Sequence, residues 1–154
     1  MAADRARALV ARNTCKDLRV LVLPQPEDLH SLVLRIDFSN DTAWAEPSAA
    51  LASEGASLVS EPRFAGLTVQ ALVNADAEAG EDDKLTYVFL ADATTMTDDE
   101  HPLLAIDLYD EPGRVSRVPP RRYADVSANL SIANMDFQEF ADAADSSGVY
   151  RGFE

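Results

Sequence analysis

Two short apolar runs in the second half of the chain, residues 85–91 (LTYVFLA) and 103–109 (LLAIDLY), most constrain the fold. Each run is short for a helix, is rich in Leu, Val, Ile and aromatic side chains, and is bounded by polar residues. Continuous apolar runs of this length are typical of strands that are buried on both faces of a sheet. We therefore predict two interior strands of one sheet.

The segment that follows the second run is typical of a tight turn. Residues 111–114 (EPGR) fit a type II turn, because Pro112 fixes φ at the second position and Gly113 supplies the positive φ of the third. Residues 115–118 should therefore form a strand that pairs antiparallel with the run before it.

The first half of the chain alternates strand and helix signals. Apolar and polar residues alternate over residues 32–38, which predicts a strand with one buried face. Any of residues 39–41 (SND) can cap a helix, which we expect to begin near Thr42, to restart at Pro47 and to end at Gly55.

Two later helices are indicated by their capping residues. Thr68 should cap the first of them, and residues 74–84 are predicted to be a solvated acidic loop. Asp136 and Glu139 form the acidic relative of a capping box, so the last helix should start at Phe137.

Strands that alternate with helices and are followed by a hairpin predict an α/β sandwich. We expect a single-domain α/β fold with a mostly parallel sheet and an antiparallel C-terminal hairpin, with an α+β fold as the alternative. Residues 18–154 should form this domain, and residues 1–17 an N-terminal extension that we expect to be poorly ordered.

The charge of the chain is strongly negative and unevenly distributed. The net charge is −14, yet residues 1–19 carry five basic and two acidic groups, for +3. The remaining eight basic and 25 acidic groups give −17 over residues 20–154. Such a surface repels nucleic acid and anionic lipid, and it attracts a basic protein partner or a cation.

Cysteine content and hydropathy define the expected environment. The lone Cys15 cannot form an internal disulfide, and no apolar run approaches the roughly 18 residues that a membrane span requires. We therefore expect a cytoplasmic protein that does not bind or span a membrane. The oligomeric state is left open by the sequence.

Three carboxylates give the sharpest enzymatic hypothesis. If the strands that carry Asp37, Asp92 and Asp110 all run parallel, their carboxyl ends meet at one edge of the sheet, where α/β folds commonly bind ligands. Carboxylate oxygens at that edge could hold Mg²⁺. Against this hypothesis, phosphoryl chemistry usually needs a cation near the phosphate, and Lys16 and Lys84 are the only lysines.

Several strings of the sequence are similar to those of one protein family. They are DFSND (37–41), AW (43–44), ADATT (91–95), HPLL (101–104), DLYDEPGR (107–114) and NLSIANMDF (129–137). Together they resemble a family of small acidic proteins, found mainly in actinobacteria, that is known as a domain of unknown function. The resemblance covers roughly residues 23–153. It implies a single domain and transfers no activity, cofactor or site.

The preferred functional hypothesis is a non-enzymatic protein-binding module, of the immunity or inhibitor type, whose acidic surface binds a basic partner without a cofactor. The alternative is a small enzyme that depends on a divalent metal, Mg²⁺, held by Asp37, Asp92 and Asp110. A third possibility is a structural protein that forms oligomers.

Overall fold

Five strands form one mixed sheet in the order β2-β1-β3-β4-β5. The computed structural model describes residues 21–152. Its strands are β1 (Ser31–Arg35), β2 (Ala56–Val59), β3 (Tyr87–Ala91), β4 (Leu103–Asp107) and β5 (Val115–Val118). Strand β1 pairs parallel with β2 and β3, whereas β4 pairs antiparallel with β3 and β5. The predicted α/β fold is therefore confirmed, and so is its antiparallel C-terminal hairpin.

Helices cover both faces of this sheet. They are α1 (Asp41–Ser53), α2 (Val69–Glu78), α3 (Ala93–Thr97), α4 (Pro120–Ser131) and α5 (Phe137–Asp142). Helices α1, α4 and α5 contribute Trp44, Tyr123 and Phe140 to one apolar cluster, and α2 contributes Leu72 to the cluster on the other face. None of the described helices is long and apolar enough to cross a membrane.

The two apolar runs are interior strands, as predicted. Along β3, Phe89 and Ala91 face the cluster that contains α1, while Val88 and Leu90 face the cluster that contains α2. All four residues are almost completely buried. A strand that buries both faces needs apolar side chains at every position, which explains the continuous run.

Strand β1 differs from its prediction. The alternating pattern indicated one buried face, yet all five residues of Ser31–Arg35 are buried. Arg35 is buried because its guanidinium has local partners: it donates to Asp41 Oδ1 at 2.8 Å and lies 4.5 Å from the ring centre of Phe38. The charged residue Arg35 therefore does not indicate a solvent-exposed face of β1.

Two helix boundaries also differ from their predictions. Helix α1 is capped by Asn40, whose side chain accepts from Ala43 N, and it continues through Pro47 without the expected restart. Helix α2, capped by Thr68 as predicted, extends to Glu78 into the segment expected to be an acidic loop. The helix persists there because the carboxylate of Asp76 is buried and accepts the backbone N–H of Leu85 at 2.6 Å.

Candidate functional site

The sheet has two ends that differ in chemistry. At the upper edge, strands β1 and β3 end and β4 begins; at the lower edge, β1 and β3 begin and β4 ends. Helices α1 and α2, which follow β1 and β2, lie on opposite faces of the sheet. The connections therefore diverge between β1 and β3, and the upper edge at that point is where open α/β sheets commonly bind ligands.

Asp37 and Asp92 lie at this upper edge, and both carboxylates already have partners. Asp37 accepts from Ser39 N at 2.9 Å and from Ser39 Oγ at 2.5 Å, and these two bonds lower its pKa. Asp92 caps α3 and binds Arg117 in bidentate fashion, with N–O distances of 2.8 and 2.9 Å. Burial opposes ionisation of Asp92, but the hydrogen bonds and charge of Arg117 and the hydrogen bonds of Thr95 together lower its pKa.

Asp110 does not join these two residues. The metal hypothesis assumed parallel strands, but β4 runs antiparallel to β3, with Tyr87 opposite Asp107, so Asp110 follows β4 at the lower edge. A parallel connection usually needs a dozen or more residues, and only residues 92–102 link β3 to β4. Over residues 21–152, no group of three or more His, Cys, Asp or Glu side chains could hold a metal ion.

Arginines also bind two further carboxylates near the upper edge, those of Glu100 and Asp145. Glu100 accepts from Arg151 at 2.8 and 2.9 Å and from Arg121 at 3.1 Å, and Arg151 also donates to Asp145 at 2.8 Å. The hydrogen bonds from Arg151 are the largest cause of the low pKa of Glu100, which is about 2. This network ties the loop before β4 to the C-terminal segment. It compensates the charges of Glu100 and Asp145.

The Glu100 network makes stability depend on pH. Because the pKa of Glu100 falls from 4.5 to about 2 on folding, its contribution is complete above pH 4.5 and is lost as the pH falls through about 2. We expect Arg151→Gln to reduce the loss of unfolding free energy between these pH values. Urea titrations of both proteins from pH 6 to pH 2 measure this difference, and superimposable pH profiles would contradict it.

The lower edge contains a groove formed by three adjoining hollows that all include Thr86, which we call the lower groove. Their volumes are about 480, 270 and 360 Å³. Five separate parts of the chain form its lining: residues 25–32, 73–81, 84–87, 107–112 and 130–137. The groove therefore exists only in the folded protein.

Large apolar side chains are exposed around the lower groove. Tyr109 is 72% exposed and lines two of the hollows, and Leu29, which is 70% exposed, lines the third. Ile132 is 62% exposed and follows Ser131, which also lines a hollow. Solvated apolar side chains that cluster in one place, rather than occurring singly, indicate an interaction surface.

The lower groove is also strongly acidic. Among the residues of the described chain that line it, Lys84 carries the positive charge. The seven acidic residues that line it are Glu27, Asp28, Asp76, Glu81, Asp107, Asp110 and Asp136. The ammonium group of Lys84 is already bound to the carbonyl oxygens of Asp76 and Ala77. Desolvation and the negative charges of Asp136, Asp107 and Glu111 raise the pKa of Asp110. Negative charge is therefore concentrated at this edge and not compensated there.

Buried polar contacts hold the groove in shape. The two carboxylate oxygens of Asp107 accept the N–H groups of Tyr109 and Glu111 at 2.9 and 2.8 Å, which orients the exposed loop. The hydroxyl of Ser31 bonds to Tyr87 OH at 2.5 Å and to Ser127 Oγ at 2.6 Å, and so links β1, β3 and α4 behind the groove. Desolvation raises the pKa of Tyr87, so its hydroxyl stays protonated.

A family model, described as a domain of unknown function (DUF6924), matches residues 30–153. The chain belongs to the DUF6924 family. This confirms the resemblance to a domain of unknown function, while the actinobacterial distribution stays a prediction. No curated protein matches the chain.

The DUF6924 match includes both ends of the sheet. Of the strings that resemble the family, those at 37–41 and 91–95 form the upper edge, and those at 107–114 and 129–137 contribute to the lower groove. The family assignment therefore does not choose between the edges. The exposed apolar side chains around the lower groove favour the lower edge.

Of the residues that line the lower groove, the sequence indicates one as a site candidate, Asp110, and it assigns that residue to a different site. The apolar runs predict only strand positions for Asp107, Tyr109 and Tyr87, which contribute to the groove. Tyr109 gave the one usable signal, since a bulky aromatic beside Asp110 and Glu111 sits at the end of an apolar run. No pattern in the sequence connects that position with Leu29 or Ile132.

Proposed function

We propose that this DUF6924 protein is a non-enzymatic protein-binding module, of the immunity or inhibitor type, that binds a basic protein through the lower groove. The observation that carries the proposal is the coincidence of uncompensated carboxylates and exposed apolar side chains at one edge. Protein interfaces combine aromatic anchors with a polar rim, and charges of complementary sign accelerate association. A cytoplasmic location is part of the proposal, since a chain with one cysteine forms no internal disulfide.

The distribution of arginines supports this choice of edge. Every arginine of residues 21–152 pairs with at least one carboxylate, and Asp92 and Glu100 at the upper edge each have such a partner. At the lower edge, Asp28, Asp110 and Asp136 are in no ion pair of residues 21–152. A cation from a partner would therefore meet unpaired carboxylates at the lower edge.

The upper edge offers less support for the metal-dependent alternative. Both oxygens of Asp92 are bound by Arg117, so a divalent cation would have to displace a guanidinium in bidentate contact. Asp110, the third ligand of that hypothesis, lies at the other edge of the sheet. We therefore base the proposal on protein binding.

Neutralising the lower groove is expected to weaken partner binding about tenfold, since three rim charges together contribute roughly 1.4 kcal/mol. The variant is Asp28→Asn, Asp110→Asn and Asp136→Asn. The wild-type protein serves as bait at about 10 mM salt, where the screening length is about 30 Å, and the affinity of each captured protein is then measured. Asparagine remains a suitable helix cap at position 136.

The matched control changes the net charge equally but elsewhere. It is Glu46→Gln, Glu54→Gln and Asp99→Asn, whose side chains line a separate hollow between α1 and the loop before β4. The control should retain binding within about twofold, because global charge mainly affects the association rate. Equal losses in both triple variants, or the capture of no basic protein by the wild type, would contradict the proposal.

A further inference from the structure

The chain contains a basic segment that fits the chemistry of its own lower groove. Residues 1–20 include five basic side chains and two acidic ones: Arg5, Arg7, Arg12, Lys16 and Arg19 against Asp4 and Asp17. They also include Leu9, Val10 and Leu18. The groove pairs carboxylates with exposed Leu29 and Tyr109, so charge and apolar character are complementary.

The described chain begins beside the groove. Residues 21–25 line a hollow of about 390 Å³ together with Glu78 and Asp83, and Gln25 donates its side-chain N–H to Asp83 O at 2.9 Å. Gln25 also lines one hollow of the lower groove, so the two depressions adjoin at this residue. The chain therefore enters the described structure at the acidic lower edge.

We infer that residues 1–20 bind in the lower groove of their own chain and compete there with the basic partner. Twenty residues span at most about 70 Å when extended, and a domain of this size has a radius of gyration of about 15 Å, so the segment reaches the whole groove. A tethered segment acts at an effective concentration near millimolar. Even weak contacts in cis would then reduce the apparent affinity for a partner in trans.

The two parts of this inference have different foundations. Competition with a partner rests on the proposed function, whereas the contact between residues 1–20 and the groove does not. Observation of the contact without capture of a partner would overturn only the proposed function. Capture of a partner without the contact would overturn only this inference.

The lone cysteine makes the contact measurable in the full chain. A nitroxide attached to Cys15 broadens the amide NMR signals of residues near it, and a diamagnetic label at the same position gives the reference spectrum. We expect broadening of Leu29, Tyr109 and Ile132 at about 10 mM salt and recovery at high salt. Ser39 and Thr94 at the upper edge should keep their intensity.

Two controls separate this contact from other causes. Replacing the five basic residues of the segment with glutamine should abolish the broadening and tighten binding of any captured partner about tenfold. Mixing isotope-labelled chain without nitroxide and unlabelled chain with nitroxide tests for contact between two molecules. The inference is wrong if the broadening appears in that mixture, survives the glutamine substitutions, or is absent from the lower groove.

Chemical cross-linking gives a second readout that needs no label. A carbodiimide joins the amine of Lys16 directly to a contacting carboxylate, and we expect products with Asp28, Glu81 or Asp110 in the monomer. Cross-links only to Asp98 or Asp99, near the upper edge, would place the segment elsewhere and overturn the inference.

Discussion

Phe89→Ala is expected to lower the free energy of unfolding by about 3–5 kcal/mol, because it leaves a cavity at the centre of the sheet. Phe89 is completely buried in the middle strand β3. Its ring packs edge-on against Tyr123, with 5.2 Å between ring centres, and against Tyr87 at 5.9 Å. Since domains are stable by only about 5–15 kcal/mol, this loss should be evident as a lower midpoint in urea denaturation.

Tyr109→Ala is the matched aromatic control. Tyr109 lies just beyond the adjacent strand β4 and is 72% exposed, so its removal should change the free energy of unfolding by no more than about 0.5 kcal/mol. A loss close to that of Phe89→Ala would show that Tyr109 stabilises the fold rather than remaining available to a partner. The lower groove would then lose its aromatic anchor.

The features that local sequence predicts well are those whose cause is local. The caps at Thr68 and Asp136 depend on residues three positions away, and both helices begin where these caps indicate. The turn before β5 depends on Gly113, whose φ is +98°. The apolar runs became interior strands because a strand covered on both faces requires apolar side chains throughout.

The features that were wrong depend on distant partners. Arg35 is buried in a strand because its guanidinium binds Asp41 and stacks on Phe38. Helix α2 extends to Glu78 because the carboxylate of Asp76 accepts the backbone N–H of Leu85. The antiparallel direction of β4 is indicated by the short connection before it, residues 92–102. Assuming a parallel strand there grouped Asp110 with the wrong edge.

The candidate site could not be predicted from local patterns at all. The composition shows an excess of acidic residues, but it does not show which carboxylates arginines compensate. That division follows from folding: Arg117 reaches Asp92 across 25 positions, and Arg151 reaches Glu100 across 51. Within residues 21–152, none of the seven acidic residues that line the lower groove is in such a long-range pair.

Arg117→Met should lower the free energy of unfolding by about 2–3 kcal/mol, because it leaves the Asp92 carboxylate without its counter-charge. The side chains of Arg117 and Asp92 are only 22% and 18% exposed, so water replaces the guanidinium poorly. The effect should be below that of a fully buried pair for the same reason. Urea denaturation near pH 7 measures it.

The double variant Asp92→Asn/Arg117→Met identifies the cause of that loss. Asparagine still caps α3 but carries no charge, so the double variant should be more stable than Arg117→Met alone. Arg121→Met is the exposed control: Glu100 keeps its two bonds from Arg151, and the cost should stay below about 0.5 kcal/mol. If the double variant is as unstable as the single one, the loss comes from packing of the arginine stem rather than from an orphaned carboxylate. The Asp92–Arg117 ion pair at the upper edge would then be electrostatically less important than its geometry indicates.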